Sequence, residues 1–472
     1  MTRRGILITA DGLDRAGTAA ALDTLGQWLE RRGHRVEVIP SQPSAMVRRA
    51  AASRRTRPFL DARVAALLGA ADIEHGSMGP VRAGLDRGSV VLFDRYAWTS
   101  IARGVARGLD PSWARSLYRF LPRPDLSIYL RQTAADAMRQ TLAIVPSDGA
   151  LAAAAGSYGP FLDRVVSQLD ELAAEAAGPH AQPWPVPSLV IDARRSPAAT
   201  GSTIRDAVRP LLTSSRGGRG SVRGRANGGD ATGGEASADL DAGRSLPAPG
   251  RGGHGQPGRL IVLEGIDHAG RSTQAGLLER HLRYAGRGVV RTSFGTSLIA
   301  GEVLREAKRD RGWDPAAMLL LYAADLAERL QHVIGPALRA GLTVIADRYA
   351  YTPAARAVVR GLAPGWVEGL FTFAPRPDAV LLLDLPLSLA LARGVADRGI
   401  AVSSVDRPVL DSGQAGDYER FQGLVSGWFG DAAERYGFSR INADREAHSV
   451  QASIRRSVAP LFDSDARVTA TS

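Results

Sequence analysis

The stretch Arg259-Leu260-Ile261-Val262-Leu263-Glu264-Gly265-Ile266-Asp267-His268-Ala269-Gly270-Arg271-Ser272 decides the fold of this chain. Its first five residues form a buried-strand pattern, apolar without alternation. A helical pattern runs from Ser272 to about Tyr284, and Gly286 and Gly288 end it. Between strand and helix, Gly265 and Gly270 are separated by four residues and followed by a basic residue and a hydroxyl. That is the spacing of a phosphate-binding loop. Glycines let the backbone curl so that successive N–H groups point at phosphate oxygens, and the helix N-terminus adds a field that favours anions. Ser272 supplies a hydroxyl suited to Mg2+, which binds hydroxyl and phosphate oxygens. Arg271 stands where the strict pattern has Lys; it keeps the charge but is bulkier and planar.

Working outward, Leu342-Thr343-Val344-Ile345-Ala346 and Ala379-Val380-Leu381-Leu382-Leu383 are further apolar strands, and Met318 to Leu338 has helical periodicity. Continuous apolar strands alternating with helices imply an α/β fold with a parallel sheet covered on both faces. The pattern occurs twice. Gly12 and Gly265, Gly17 and Gly270, Asp72 and Asp325, and Trp113 and Trp366 each stand 253 positions apart. So do Asp94-Arg95-Tyr96 and Asp347-Arg348-Tyr349, and Arg123-Pro124-Asp125 and Arg376-Pro377-Asp378. Later the offset drifts: Tyr158 and Phe161 pair with Tyr418 and Phe421 at 260, and Ile204 and Pro210 with Ile454 and Pro460 at 250. A period this long is duplication of a whole domain. The expected organisation is a domain over 1–213, a linker over 214–258 and a second domain over 259–472. The linker is rich in Gly, Ser, Ala and Arg and poor in large apolar residues, so it reads as a flexible tether. Its Arg216, Arg219, Arg223 and Arg225 are read as solvated charges, and nucleic acid is not an expected partner.

The chain has 472 residues and no cysteine, which excludes disulfides and thiolate metal sites and fits a reducing, cytoplasmic setting. The stretch Ala379 to Ala392 is broken by Asp384 and Pro386, so no membrane span is expected. The formal net charge of +11 points to polyanionic ligands such as nucleotides. Almost all of the basic residues are arginine; Lys308 is the single lysine.

Glu264-Gly265-Ile266-Asp267-His268-Ala269-Gly270-Arg271-Ser272-Thr273-Gln274 resembles the phosphate-binding loop of thymidylate kinases. Four later segments agree in order: Gly295-Thr296 leading to Gly301-Glu302-Val303-Leu304-Arg305, Leu321-Tyr322-Ala323-Ala324-Asp325, Asp347-Arg348-Tyr349, and Arg376-Pro377-Asp378 followed by Leu383-Asp384. Asp417-Tyr418-Glu419-Arg420-Phe421 resembles the family's stretch after the lid. The resemblance implies two nucleoside monophosphate kinase-like P-loop domains, with ATP as phosphoryl donor, Mg2+ as cofactor and a nucleoside monophosphate as acceptor, dTMP first. It places ATP on Gly265 through Thr273, including Ile266, His268 and Ala269. Asp267 lies between donor and acceptor phosphates, with Ser272, Asp267 and Glu419 near the metal. It places the acceptor on Arg305, Tyr322, Asp347, Arg348, Tyr349 and Arg356, with Tyr322 stacking on the base. Catalytic charge is expected from Asp267, Arg271, Arg348 and the lid arginines Arg393, Arg398 and Arg407. His268 leaves the loop itself without the arginine that some members carry there, so the lid must supply it.

Two departures touch acceptor choice. Leu326 follows Asp325 where the family usually has a base-contacting Arg, and Arg356 stands where an aromatic residue is usual. The first copy departs where chemistry would occur. Thr18 replaces the loop cation and Ala19 the metal-binding hydroxyl; Ala52, Gly69 and Gly159 correspond to Arg305, Tyr322 and Glu419. It reads as a degenerate copy that pairs with the second within the chain, in place of or alongside a homodimer. The alternatives left open are a kinase for another nucleotide or nucleoside, and a non-catalytic nucleotide-binding protein.

Overall fold

A computed structural model describes residues 5–13, 15–40, 61–144, 149–179, 181–214, 246–250, 254–309, 313–398 and 415–462. The chain divides into two compact units, Met1–Ala45 with Asp72–Ala236, and Met46–Ala71 with Ser237–Ser472.

The first repeat runs β1 (Ile6–Gly12), α1 (Arg15–Glu30), β2 (Val36–Ile39), α2 (Ala62–Ile73), α3 (Gly79–Asp86), β3 (Val90–Asp94), α4 (Trp98–Ala106), α5 (Pro111–Leu117), β4 (Leu126–Arg131), α6 (Ala134–Ile144), α7 (Gly149–Glu175), β5 (Ser188–Asp192) and α8 (Pro197–Ser214). The second runs β6 (Arg259–Glu264), α9 (Arg271–Tyr284), β7 (Val289–Ser293), α10 (Ala300–Arg309), α11 (Pro315–Arg329), α12 (Gly335–Arg339), β8 (Thr343–Asp347), α13 (Tyr351–Val359), α14 (Pro364–Leu370), β9 (Ala379–Asp384), α15 (Leu387–Arg398), α16 (Ala415–Tyr436), β10 (Ser439–Asn442) and α17 (Ala447–Val458). Each repeat builds a five-stranded parallel sheet, β2-β3-β1-β4-β5 and β7-β8-β6-β9-β10. Strand β6 is buried from Leu260 to Glu264, and β8 throughout, as helices on both faces require.

The sequence repeat carries into the strand register. Ile6 pairs with Val90 and Ile8 with Leu126; Arg259 pairs with Thr343 and Ile261 with Ala379, each partner 253 positions on. The same offset preserves polar fastenings. The Leu7 N–H donates to Asp125 at 2.8 Å and the Leu260 N–H to Asp378 at 2.7 Å. The Tyr96 hydroxyl donates to the Pro122 carbonyl at 2.8 Å and that of Tyr349 to Pro375 at 3.0 Å. Tyr349, expected to hold acceptor, is fully buried with its hydroxyl on that carbonyl, and its counterpart in the first repeat makes the same bond.

The expected tether also needs correction near its end. Leu246 is fully buried, and the Tyr351 hydroxyl donates to the Pro247 carbonyl. Arg376 Nε donates to the Ala248 carbonyl at 3.1 Å, and the Gly250 N–H to the Pro377 carbonyl at 2.8 Å. His254 accepts the Gln256 N–H on Nδ1, so its Nε2 carries the proton it donates to Asp378 at 2.8 Å. These residues are packed parts of the second unit. Among the described residues, no helix is long and apolar enough to cross a membrane.

Candidate active site

Residues 265–270 join β6 to α9 and take the conformation that a phosphate nest needs. Gly265, His268 and Gly270 have φ of +142°, +64° and +89°. At Gly265 a side chain is also excluded by space, because a Cβ would lie 2.7 Å from the Leu383 carbonyl oxygen. The helical bond from Gln274 N–H runs to the Gly270 carbonyl, which leaves the N–H groups of Arg271, Ser272 and Thr273 at the helix N-terminus. His268 adopts the left-handed region without glycine's freedom, a conformation that costs about 1 kcal/mol. Among the described residues, the first repeat takes another course. There β1 continues through Gly12 and α1 begins at Arg15, so Gly17 sits inside a helix. Its Thr18 hydroxyl donates to Asp94 at 2.6 Å, a fully buried bond.

Ser272 and Thr273 are exposed, while Ile266 and Ala269 are buried beneath the loop. The Ser272 hydroxyl donates to Asp347, at the C-terminal end of β8. Arg271 turns back on the loop: Nη1 donates to the Gly265 carbonyl at 2.6 Å and to that of Ile266, and Nε lies 3.3 Å from Asp347. Burial pulls the Arg271 guanidinium down to about 10, with Arg348 repelling it and Asp347 and Asp267 restoring part of the charge. It stays protonated at neutral pH.

Asp267 is the electrostatic centre. Arg356 Nη2 donates to both its oxygens, at 2.8 and 3.0 Å, and Arg348 donates to one of them. Arg271 Nη2 lies 3.8 Å away. From α16, the Gln422 amide donates at 3.1 Å and the Tyr418 hydroxyl at 3.4 Å. Burial opposes ionisation of Asp267, but the guanidinium groups of Arg356, Arg348 and Arg271 outweigh it and hold the carboxyl well below the usual carboxylate range. Arg348 itself has φ +75°, as its counterpart Arg95 has φ +59°. Glu264 fastens this turn from below, accepting the Tyr349 N–H at 2.8 Å and the Thr352 hydroxyl; burial pushes its carboxyl up.

Of the residues expected to hold the acceptor, Arg305 donates to the Gly295 carbonyl. Tyr322 is buried, meets Phe294 edge to face at 5.0 Å, and has Lys308 Nζ 5.0 Å from its ring centre. Helix α11 pins the loop in front of it. Asp325 accepts the Gly295 and Ser297 N–H groups and the Ser297 hydroxyl, and Glu328 accepts those of Leu298, Ile299 and Ala300 at the start of α10. Leu326 is fully buried. Arg329, absent from the residues expected at the site, is fully buried too; its Nε donates to Asp325 at 3.1 Å and its guanidinium lies 4.5 Å above Phe294. The available signal was spacing, since Arg329 stands one helical turn after Asp325. Gln422 was not expected either; it lies one turn after Tyr418 and so on the same face of α16.

The structure thus brings together Asp267, Arg271, Ser272, Asp347, Arg348 and Arg356. Arg356 meets the loop carboxylate. Arg393, on α15, donates instead to the Ala443 carbonyl at 3.2 Å. Arg398 ends the same helix, and its side chain lies outside the described residues, as does Arg407 altogether. Glu419 is exposed on α16. Of the carboxylates expected at the metal, neither Asp267 nor Glu419 is the one bonded to Ser272; Asp347 is.

A five-stranded parallel sheet with a phosphate-nest loop after its central strand and a basic cluster beyond it is the architecture of a P-loop nucleoside monophosphate kinase. The profile of the thymidylate kinase family matches residues 10–143 and 263–406, more than half of the chain and once in each repeat. The chain belongs to the thymidylate kinase family, and is a phosphotransferase acting on nucleotide substrates. It is 39% identical over 142 residues to a probable thymidylate kinase of Pyrococcus abyssi (strain GE5 / Orsay), covering 29% of this chain and 69% of that one. It is 38% identical over 211 residues to a thymidylate kinase of Leifsonia xyli subsp. xyli, covering 42% and 94%. It is 31% identical over 213 residues to probable thymidylate kinase 2 of Saccharolobus solfataricus, covering 44% and 98%.

Proposed function

We propose that the second repeat transfers the γ-phosphoryl group of ATP to a nucleoside monophosphate, dTMP before others, and that the first repeat is non-catalytic. The observation that carries this is the contrast between the loops: an open nest with positive φ at Gly265, His268 and Gly270, against a helix that swallows Gly17. Relatives named as thymidylate kinases support dTMP. In this reading the loop N–H groups and Arg271 hold the donor phosphates, and Arg348 with Arg356 draws the acceptor phosphate toward them. Catalysis is positioning and charge neutralisation, without a covalent intermediate. Ser272 and Asp347 fit a Mg2+ ion, since a hydroxyl and a carboxylate side by side are the hard oxygen donors it takes. When bound, the ion would neutralise charge on the donor phosphates.

A second acceptor reading has its own support. Leu326 cannot hydrogen-bond a base, and Arg356 is turned to Asp267, so discrimination among pyrimidine monophosphates rests on stacking. We also propose that the chain works in the cytoplasm, with its two repeats taking the place of a homodimer or joining one. The test is ADP release by the full chain with ATP, Mg2+ and a panel of dTMP, dUMP, dCMP and their nucleosides. Turnover greatest with dTMP is expected. Greater turnover with another acceptor removes dTMP alone, and none with any acceptor removes the catalytic reading.

A further inference from the structure

Asp267 is the shared partner of guanidinium groups from three places: α9, the turn after β8, and α13. The carboxylate is 16% exposed, and the side chains of Arg271, Arg348 and Arg356 are between 8% and 18% exposed. The cluster is largely desolvated yet reaches the surface. Its oxygens also receive the Gln422 amide and the Tyr418 hydroxyl, so α16 closes over the same carboxylate. Convergent guanidinium forks around one anion are the arrangement that binds a phosphate monoester, whose oxygens accept several charge-assisted hydrogen bonds at once. Here that position is filled by a residue of the loop itself. Arg271 is likewise turned inward, onto the carbonyls of Gly265 and Ile266.

We propose that Asp267 is an internal substitute for phosphate: without ligand it occupies an anion site made by Arg348 and Arg356, with Arg271 at its donor-side edge, and a phosphate dianion enters by displacing it. This deepens the reading above, on which it rests for the identity of the acceptor, by stating how the acceptor side is held when empty. A carboxylate carries one negative charge and two oxygens. A phosphate dianion carries two charges and three free oxygens on a monoester, so it wins the exchange where a monoanion or an uncharged nucleoside does not. Arg356 Nη2 already spans both oxygens of Asp267, so a phosphate that takes this donor displaces the carboxylate from it. The carboxylate therefore acts as a threshold that admits phosphorylated acceptors and keeps the arginines from binding weaker anions.

The experiment uses the full chain and inorganic phosphate as the probe, followed by titration calorimetry, so no turnover is needed. Asp267→Asn removes the competing charge and should bind phosphate at least about tenfold more tightly than the unsubstituted chain. Adding Arg356→Gln to that variant should undo the gain, which assigns the phosphate to this cluster and not to the loop N–H groups. Equal or weaker binding by Asp267→Asn overturns the proposal. If Asp267→Asn does not fold, Arg356→Gln alone should weaken phosphate binding by about tenfold, and unchanged binding overturns it. A chain that transfers phosphoryl groups yet shows no gain in Asp267→Asn keeps the kinase reading and loses this one. A chain with the gain and no turnover does the reverse.

Discussion

The imidazole of His268 lies against Gly394 of α15, so closely that a Cβ at Gly394 would sit 2.9 Å from the ring. The contact joins the phosphate loop to the helix that carries Arg393. Gly394→Ala should push the ring aside and with it the loop, lowering kcat by about 10²-fold, on the scale of a misplacement near 1 Å. His268→Gly removes the ring and the left-handed strain together, and should restore turnover in the Gly394→Ala background. Steady-state kinetics of the two single variants and the double variant decides this. An unaffected Gly394→Ala would show that the ring yields without moving the loop.

Arg271 is expected to serve as the loop cation although it is not lysine. Arg271→Ala should lower kcat by about 10²-fold or more, since a preorganised charge on a transferring phosphoryl is worth several kcal/mol. Arg271→Lys should keep or raise activity, because a point charge on a flexible stem can reach the phosphates without the inward bonds to Gly265 and Ile266. Turnover unchanged in Arg271→Ala would favour a non-catalytic nucleotide-binding role.

Two equivalent-looking hydroxyls should part company. Ser272→Ala should lower kcat by about 10²-fold, as expected when a metal-side donor on a transferring phosphoryl is lost. Thr18→Ala should leave kcat unaltered and cost about 1–3 kcal/mol of stability in the first unit, because it strands the buried Asp94 carboxylate. Kinetics and urea unfolding on the same samples separate the two. Loss of turnover in Thr18→Ala would place chemistry in the first repeat.

Asp267 also sets an acid limit. Its folded-state pKa is depressed by Arg356, Arg348 and Arg271 against the opposing effect of burial. Its contribution to stability is then complete above the ordinary carboxylate range and is lost as pH falls through the depressed value. Asp267→Asn should destabilise the second unit by about 3 kcal/mol at pH 7, the cost of breaking a buried pair. The difference should persist down to about pH 4 and shrink below it. Urea midpoints across that range give the answer, and a gap that closes near pH 6 would contradict the assigned charges.

Much of this molecule was legible in the order of its residues. Unbroken apolar runs named the strands, and a fixed spacing of 253 named the duplication that the register of both sheets repeats. The phosphate loop was legible because glycine, cation and hydroxyl spacing is a local property. The fastening of Tyr349 was not legible, because a signature tyrosine gives no hint in one dimension that its hydroxyl meets the Pro375 carbonyl. Arg329 was missed because a buried guanidinium depends on Phe294 and Asp325 converging from different elements. Arg356 was noticed, but its partner Asp267 lies 89 positions away, beyond any local pattern.

The packed residues before β6 bear on how the chain is divided. Leu246 is enclosed, the Tyr351 ring meets Phe438 at 4.7 Å beneath the Pro247 bond, and Asp378 shares its Oδ2 between His254 and the N–H that opens the central strand. A fragment begun at Arg259, the boundary that composition suggests, would bare an aromatic surface and strip a proton donor from the carboxylate that anchors β6. Such a fragment would aggregate or lose activity for reasons unrelated to the missing first repeat. A second-repeat fragment therefore has to keep Leu246 and the residues after it, and dependence of one repeat on the other can be judged only from a fragment that keeps this collar.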